Sequence, residues 1–102
     1  MSFVLNMITQ EEKRITLLKN NYEDQLSRLP KGTMRIRQKG NNAYYYLSYR
    51  EGKKVTTEYI GKDEYRIALI KEQLEKRKHI EDMLKELNKE LILIKKVSEE
   101  VK

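Results

Sequence analysis

The chain has 102 residues, 37% charged and 38% hydrophobic, with a net charge of +6, no Cys, no Trp, one Phe and a single His at position 79. That describes one small domain over 1–102, excludes disulfides and thiolate metal sites, and leaves no second imidazole for a zinc or copper site, so no metal or cofactor is expected. No apolar run reaches the roughly 18 residues of a spanning helix, and Met1 to Ile8 is broken by Ser2 and Asn6 and lacks a basic leader, so a cytoplasmic protein without a membrane partner is expected.

Residues 1–30 carry four basic and four acidic side chains, which cancel. Ile15, Leu18, Tyr22, Leu26 and Leu29 recur at steps of three and four, the stripe of a helix. Thr9-Gln10-Glu11-Glu12 reads as a capping box, the Thr hydroxyl accepting from an orphan amide while Glu12 reaches back to the Thr9 amide. The helix is expected over about 10–28, ending before Pro30 because a residue preceding Pro avoids the helical region. Upstream, Phe3, Val4, Leu5, Met7 and Ile8 are too apolar to stay solvated and should add a helical turn or two, or form a packing arm.

Residues 31–62 hold Lys31, Arg35, Arg37, Lys39, Arg50, Lys53, Lys54 and Lys62 against only Glu51 and Glu58, so the whole excess of +6 sits here. The residues become β-branched and aromatic, punctuated by Gly32, Gly40-Asn41-Asn42 and Glu51-Gly52, the pattern of short strands and tight turns. Strands at about 33–39, 43–50 and 54–60 predict a three-stranded antiparallel meander. Alternation puts Met34 and Ile36 on the face toward the helices and Arg35, Arg37 and Lys39 on the other. The second strand has bulky rings on both sides, so alternation alone does not assign its tyrosines.

From Lys62 onward the helical period returns with Ile67, Ile70 and Leu74, then Ile80, Leu84, Leu87, Leu91, Ile94 and Val101, an a/d seam with a phase slip around Arg77. Ten basic and ten acidic side chains from 63 to 102 interleave at pairing distance, as in Glu72 with Lys76 and Glu81 with Lys85. Asp63-Glu64 suits the positive end of this helix. The expected fold is α+β: a three-stranded antiparallel β-meander inserted between two helices that form an antiparallel coiled-coil hairpin. In that hairpin Ile15 and Leu18 should lie near Leu74 and Ile80, Tyr22 and Leu26 near Ile67 and Ile70, and the N-terminal arm near Leu84 to Ile94. Two helices bury little surface, and Leu91-Ile92-Leu93-Ile94 is apolar on all sides, so a homodimer through Leu84, Leu87, Leu91 and Ile94 is expected.

Catalysis finds no foothold: the sequence holds no Gly-rich phosphate loop, no GxSxG, no HExxH and no Cys or paired His. The adjacent carboxylates Glu11-Glu12 and Glu99-Glu100 do not converge on one substrate. A non-enzymatic protein is expected. The basic meander combines cations that neutralise phosphates with tyrosines that stack on bases or donate a hydroxyl to the backbone. Arg35, Arg37, Lys39, Arg50, Lys53 and Lys54 are the expected phosphate contacts and Tyr44 and Tyr46 the expected stacking residues, on DNA in preference to RNA. The competing expectation is a protein-interaction module, an adaptor or inhibitor of a phage or mobile-element effector, bound through the helices or meeting an acidic protein surface with the sheet.

The runs Leu29-Pro30-Lys31-Gly32-Thr33, Tyr44-Tyr45-Tyr46-Leu47, Tyr49-Arg50-Glu51-Gly52-Lys53-Lys54-Val55 and Tyr59-Ile60-Gly61-Lys62 resemble a family of small uncharacterised bacterial and mobile-element proteins. The resemblance implies the order helix, LPKG(S/T) turn, YYYL strand, YREGKKV hairpin, YIGK exit and long charged helix, and brings no activity with it. The central hairpin alone is similar to short meander modules that precede catalytic domains in some transposases and integrases, where such sheets contact DNA. No catalytic residue carries over from that likeness.

Overall fold

The computed structural model describes residues 2–101. Helix α1 (Phe3–Ser27) leads to strands β1 (Thr33–Lys39), β2 (Asn42–Glu51) and β3 (Lys54–Gly61), and helix α2 (Glu64–Val101) closes the chain. Two helices thus flank a three-stranded antiparallel meander of order β1-β2-β3, an α+β arrangement. The chain divides into two compact units, one of residues 29–78 and one formed by 1–28 with 79–102.

α1 begins a full turn and more before the expected capping box. Ser2, in an extended conformation, accepts from the Leu5 amide through its Oγ at 3.2 Å and is the true N-cap. The Thr9 hydroxyl instead donates to the Leu5 carbonyl at 2.9 Å, the habit of a mid-helix Thr. The apolar run supplies the reason: Leu5 and Ile8 continue the half-buried stripe that Ile15, Leu18, Tyr22 and Leu26 carry, so helix extends the buried face. Exit comes at Arg28, the C-cap, whose amide donates to the Gln25 and Leu26 carbonyls ahead of Pro30. α2 is capped by Asp63, whose Oδ1 accepts from the Tyr65 amide at 3.0 Å and the Arg66 amide at 3.4 Å.

Both hairpins turn through two residues, Gly40-Asn41 between the paired Lys39 and Asn42, and Gly52-Lys53 between the paired Glu51 and Lys54. Only the first residue of each loop has positive φ, 61° at Gly40 and 60° at Gly52, which is the type II′ pattern whose twist suits a hairpin. These turns fix the register that alternation left open. Tyr45, Leu47 and Tyr49 share the inner face with Met34, while Tyr44 and Tyr46 pair with Arg37 and Arg35 on the outer one. On β3, Ile60 is an extra residue between the Tyr46–Tyr59 and Tyr45–Gly61 pairs, a bulge that delivers its side chain to the core.

The core of the 29–78 unit is Leu47, Ile60 and Ile67, with Met34, Tyr45, Tyr49, Ile70 and Leu74 packed around it. Burying an aliphatic side chain of this size contributes about 2 kcal/mol. Ile36, expected on the helix-facing side with Met34, does share its face but is 57% exposed. The α2 side chains that reach the sheet, Ile67, Ile70 and Leu74, gather around Leu47 and Met34 instead.

In the other unit Ile15, Ile80 and Leu87 are buried. Glu12 and Thr16 of α1 line a groove with Leu91, Lys95, Ser98 and Glu99 of α2, well beyond the expected meeting of Ile15 and Leu18 with Leu74 and Ile80. The sheet explains the shift. It occupies the first turns of α2, and α1 takes the seam from Ile80 onward. Seam positions Leu84, Leu91, Ile94 and Ser98 are half-buried, whereas Val101, expected in the seam, is exposed. Met1, part of the expected arm, lies outside the described residues.

Candidate functional site

Register assigns the charges of the meander to its two faces. The outer face carries Thr33, Arg35, Arg37 and Lys39 from β1, Asn42, Tyr44, Tyr46, Ser48 and Arg50 from β2, and Val55, Thr57 and Tyr59 from β3. Glu51 and Glu58, the two acids of residues 31–62, pair with Lys54 and Leu47 and belong to the inner side. The outer face therefore has four cations and no carboxylate. All four cations are exposed.

Six of the eight residues expected at a phosphate-binding surface come together here: Arg35, Arg37, Lys39, Tyr44, Tyr46 and Arg50. Lys53 stands in the β2–β3 turn, and Lys54 sits across from Glu51 on the opposite side, where alternation sends it. Two participants were not among those eight. Tyr59 lies between Tyr46 and Tyr44, its ring centroid 5.3 Å from the first in an edge-on arrangement and 6.5 Å from the second. Lys62, past the end of β3, holds its Nζ 5.2 Å from the centre of the Tyr44 ring and donates to Asn42 Oδ1 at 3.4 Å. Pairing YYYL with YIGK across the bulge brings these motifs together, and neither motif alone signals it.

The guanidinium of Arg37 lies 5.6 Å from the Tyr46 ring centre, within cation–π range. Tyr59 in turn lies beside Gly61, where a Cβ would meet the ring at ordinary contact distance, so it is the φ of 100° and not the space that calls for a glycine. The face is thus an ordered strip of rings with cations seated against them. On the other side of the sheet Lys71 makes the same kind of contact to Tyr45, at 5.3 Å.

Of the residues expected to join two copies, Leu87 is 7% exposed within the single chain, and Leu84, Leu91 and Ile94 are half-buried. The apolar side chains left outside include their neighbours Ile92, Leu93 and Val97, with Phe3, Val4, Met7 and Leu17 of α1. Among the described residues no group of three or more His, Cys, Asp or Glu is placed to hold a metal, and no helix is long and apolar enough to cross a membrane.

No curated protein and no solved structure matches the chain. A family described as a domain of unknown function (DUF6788) matches residues 8–75, which takes in most of α1, the entire meander and the first turns of α2. Since the match spans two thirds of the sequence and the whole outer face, the chain belongs to the DUF6788 family.

Proposed function

We propose that this is a non-enzymatic nucleic-acid-binding protein that uses the outer face of its meander. The observation that supports it is the sorting of charge: Arg35, Arg37, Lys39 and Arg50 share one face from which both nearby acids are absent. A sheet that needed only solubility would gain from mixed signs, whereas an all-cationic face concentrates a field that attracts polyanions. With Lys53 in the turn and Lys62 at the strip's end, six cations are available to phosphates. Fluorescence anisotropy of labelled oligonucleotides tests the reading. Six phosphate contacts predict a loss of about 10³ in affinity between about 50 and 200 mM salt, and the R35E/R37E variant should abolish binding. Affinity that ignores salt, or survives that double reversal, rules it out.

A second reading rests on the exposed apolar side chains of the helical unit, with Phe3 at 79% and Ile92 at 59% exposure. On it, the helices bind a protein partner or a second copy of the chain. R35E/R37E leaves such an interaction intact, so the same variant separates the two.

A further inference from the structure

The tyrosines of the outer face decide which form of nucleic acid fits it. Side chains on a strand stand roughly perpendicular to the sheet, so their ring faces look sideways at the neighbouring strands. For Tyr46 one neighbour is the Arg37 guanidinium, 5.6 Å from its centre, and the other is the edge-on Tyr59 at 5.3 Å. Tyr44 has the Lys62 ammonium at 5.2 Å and Tyr59 at 6.5 Å. Both residues are half-buried. A base needs an open ring face to stack on. A side chain standing perpendicular to the sheet carries its hydroxyl at the outer end, and with Arg37 and Lys62 against the two rings the surface offers hydrogen-bond donors and positive charge.

Resting on the nucleic-acid reading above, we infer that the outer face takes the phosphate backbone of duplex DNA, with Tyr44 and Tyr46 acting as hydroxyl donors and as seats for Lys62 and Arg37. A single strand exposes bases that gain nothing from the Tyr44 and Tyr46 rings and find only Tyr59, 54% exposed, to stack on, and it carries a lower charge density than a duplex with its bases already stacked. Strands spaced about 4.8 Å apart make the three-stranded face about 10 Å across, matched to the roughly 12 Å major groove of B-form DNA and its flanking phosphates. The deep, narrow major groove of A-form RNA does not admit side chains in this way.

The deciding substitutions are Tyr44→Phe and Tyr46→Phe, which keep each ring beneath its cation and remove only the hydroxyl. Anisotropy is measured on a labelled DNA duplex, one of its single strands and the corresponding RNA duplex, with thermal melts confirming that the variant folds. Duplex DNA should bind at least tenfold more tightly than the single strand, and the Y44F/Y46F variant should lose about tenfold on the duplex, as two hydrogen bonds require. A single strand bound as tightly as the duplex, or a double Phe variant that binds like the parent, overturns the inference and returns the rings to base stacking. An RNA duplex bound as tightly as DNA overturns the assignment to DNA. Failure of the parent protein to bind any of the three probes removes the nucleic-acid reading itself.

Discussion

Arg77 and Leu29 lie 48 residues apart, and the Arg77 guanidinium donates through Nη1 to the Leu29 carbonyl at 3.2 Å. The acceptor follows the end of α1 and precedes Pro30, in a stretch that offers no ladder to its backbone groups. The donor sits where the α2 seam takes two successive steps of three, Leu74 to Arg77 to Ile80, so a long polar side chain occupies a position that leucine or isoleucine fills elsewhere. Replacing Arg77 with Met keeps the stem and removes the donor. The expected cost is about 1 kcal/mol, read as a fall in Tm of about 4–8 °C for a chain of this size. A melting curve that does not move would show that the carbonyl is served equally well by water.

Gly32 carries the steepest local constraint. Its φ is 122°, and a Cβ there would collide with the Ser48 carbonyl oxygen and crowd Tyr49 Cβ at 2.9 Å. The obstacle is the backbone of β2, which cannot swing aside as a side chain would. Gly32→Ala combines that clash with a disfavoured φ, so a destabilisation of about 3 kcal/mol is expected. Gly40→Ala, at a loop tip with open space around it, should cost roughly 1–2 kcal/mol. Urea titration of the two variants checks the order, which reverses if the turn rather than the close approach is limiting.

Asp63 is worth testing because α2 leaves the sheet through it. Its carboxylate accepts from two amides of the first turn, and Asp63→Ala should cost about 1 kcal/mol. Asp63→Asn retains the acceptor and should lose less. Equal losses in the two melts would assign the effect to charge at the helix end rather than to the cap.

How much of this was legible in the sequence follows from what each signal encodes. Strand positions and both hairpin turns were readable because Gly-containing tight turns interrupt β-branched and aromatic runs. The assignment of Tyr44 and Tyr46 to one face and Tyr45 and Tyr49 to the other was not, since rings on both sides give no alternation; the two-residue loops settle it. The bulge at Ile60 has no sequence signature, yet it brings Tyr59 beside Tyr44 and Tyr46 and Ile60 into the core. At the N-terminus the capping box at Thr9 was the signal read, and the structure starts the helix at Ser2 instead, with the apolar stripe through Leu5 and Ile8 supplying the extra turns. Periodicity located the seam of α2 and its slip, but it could not say which stretch faces the sheet and which faces α1.

The helical unit separates two kinds of apolar residue that lie side by side in sequence. Leu87 is 7% exposed in the single chain, and Leu87→Ala should cost about 2–4 kcal/mol by opening a cavity. Ile92 and Leu93, at 59% and 56% exposure, have no such role, and the I92S/L93S variant should change stability by no more than about 1 kcal/mol. If the second reading holds, that surface variant shifts the sedimentation profile of the wild-type chain toward monomer, or weakens its protein partner, while the melting curve stays in place. L87A does the opposite, lowering Tm in dilute and concentrated samples alike. A loss of stability in I92S/L93S together with a wild-type Tm that falls on dilution toward that of the variant would mean that folding and association are one equilibrium, with the outer apolar side chains contributing to the core of the assembly.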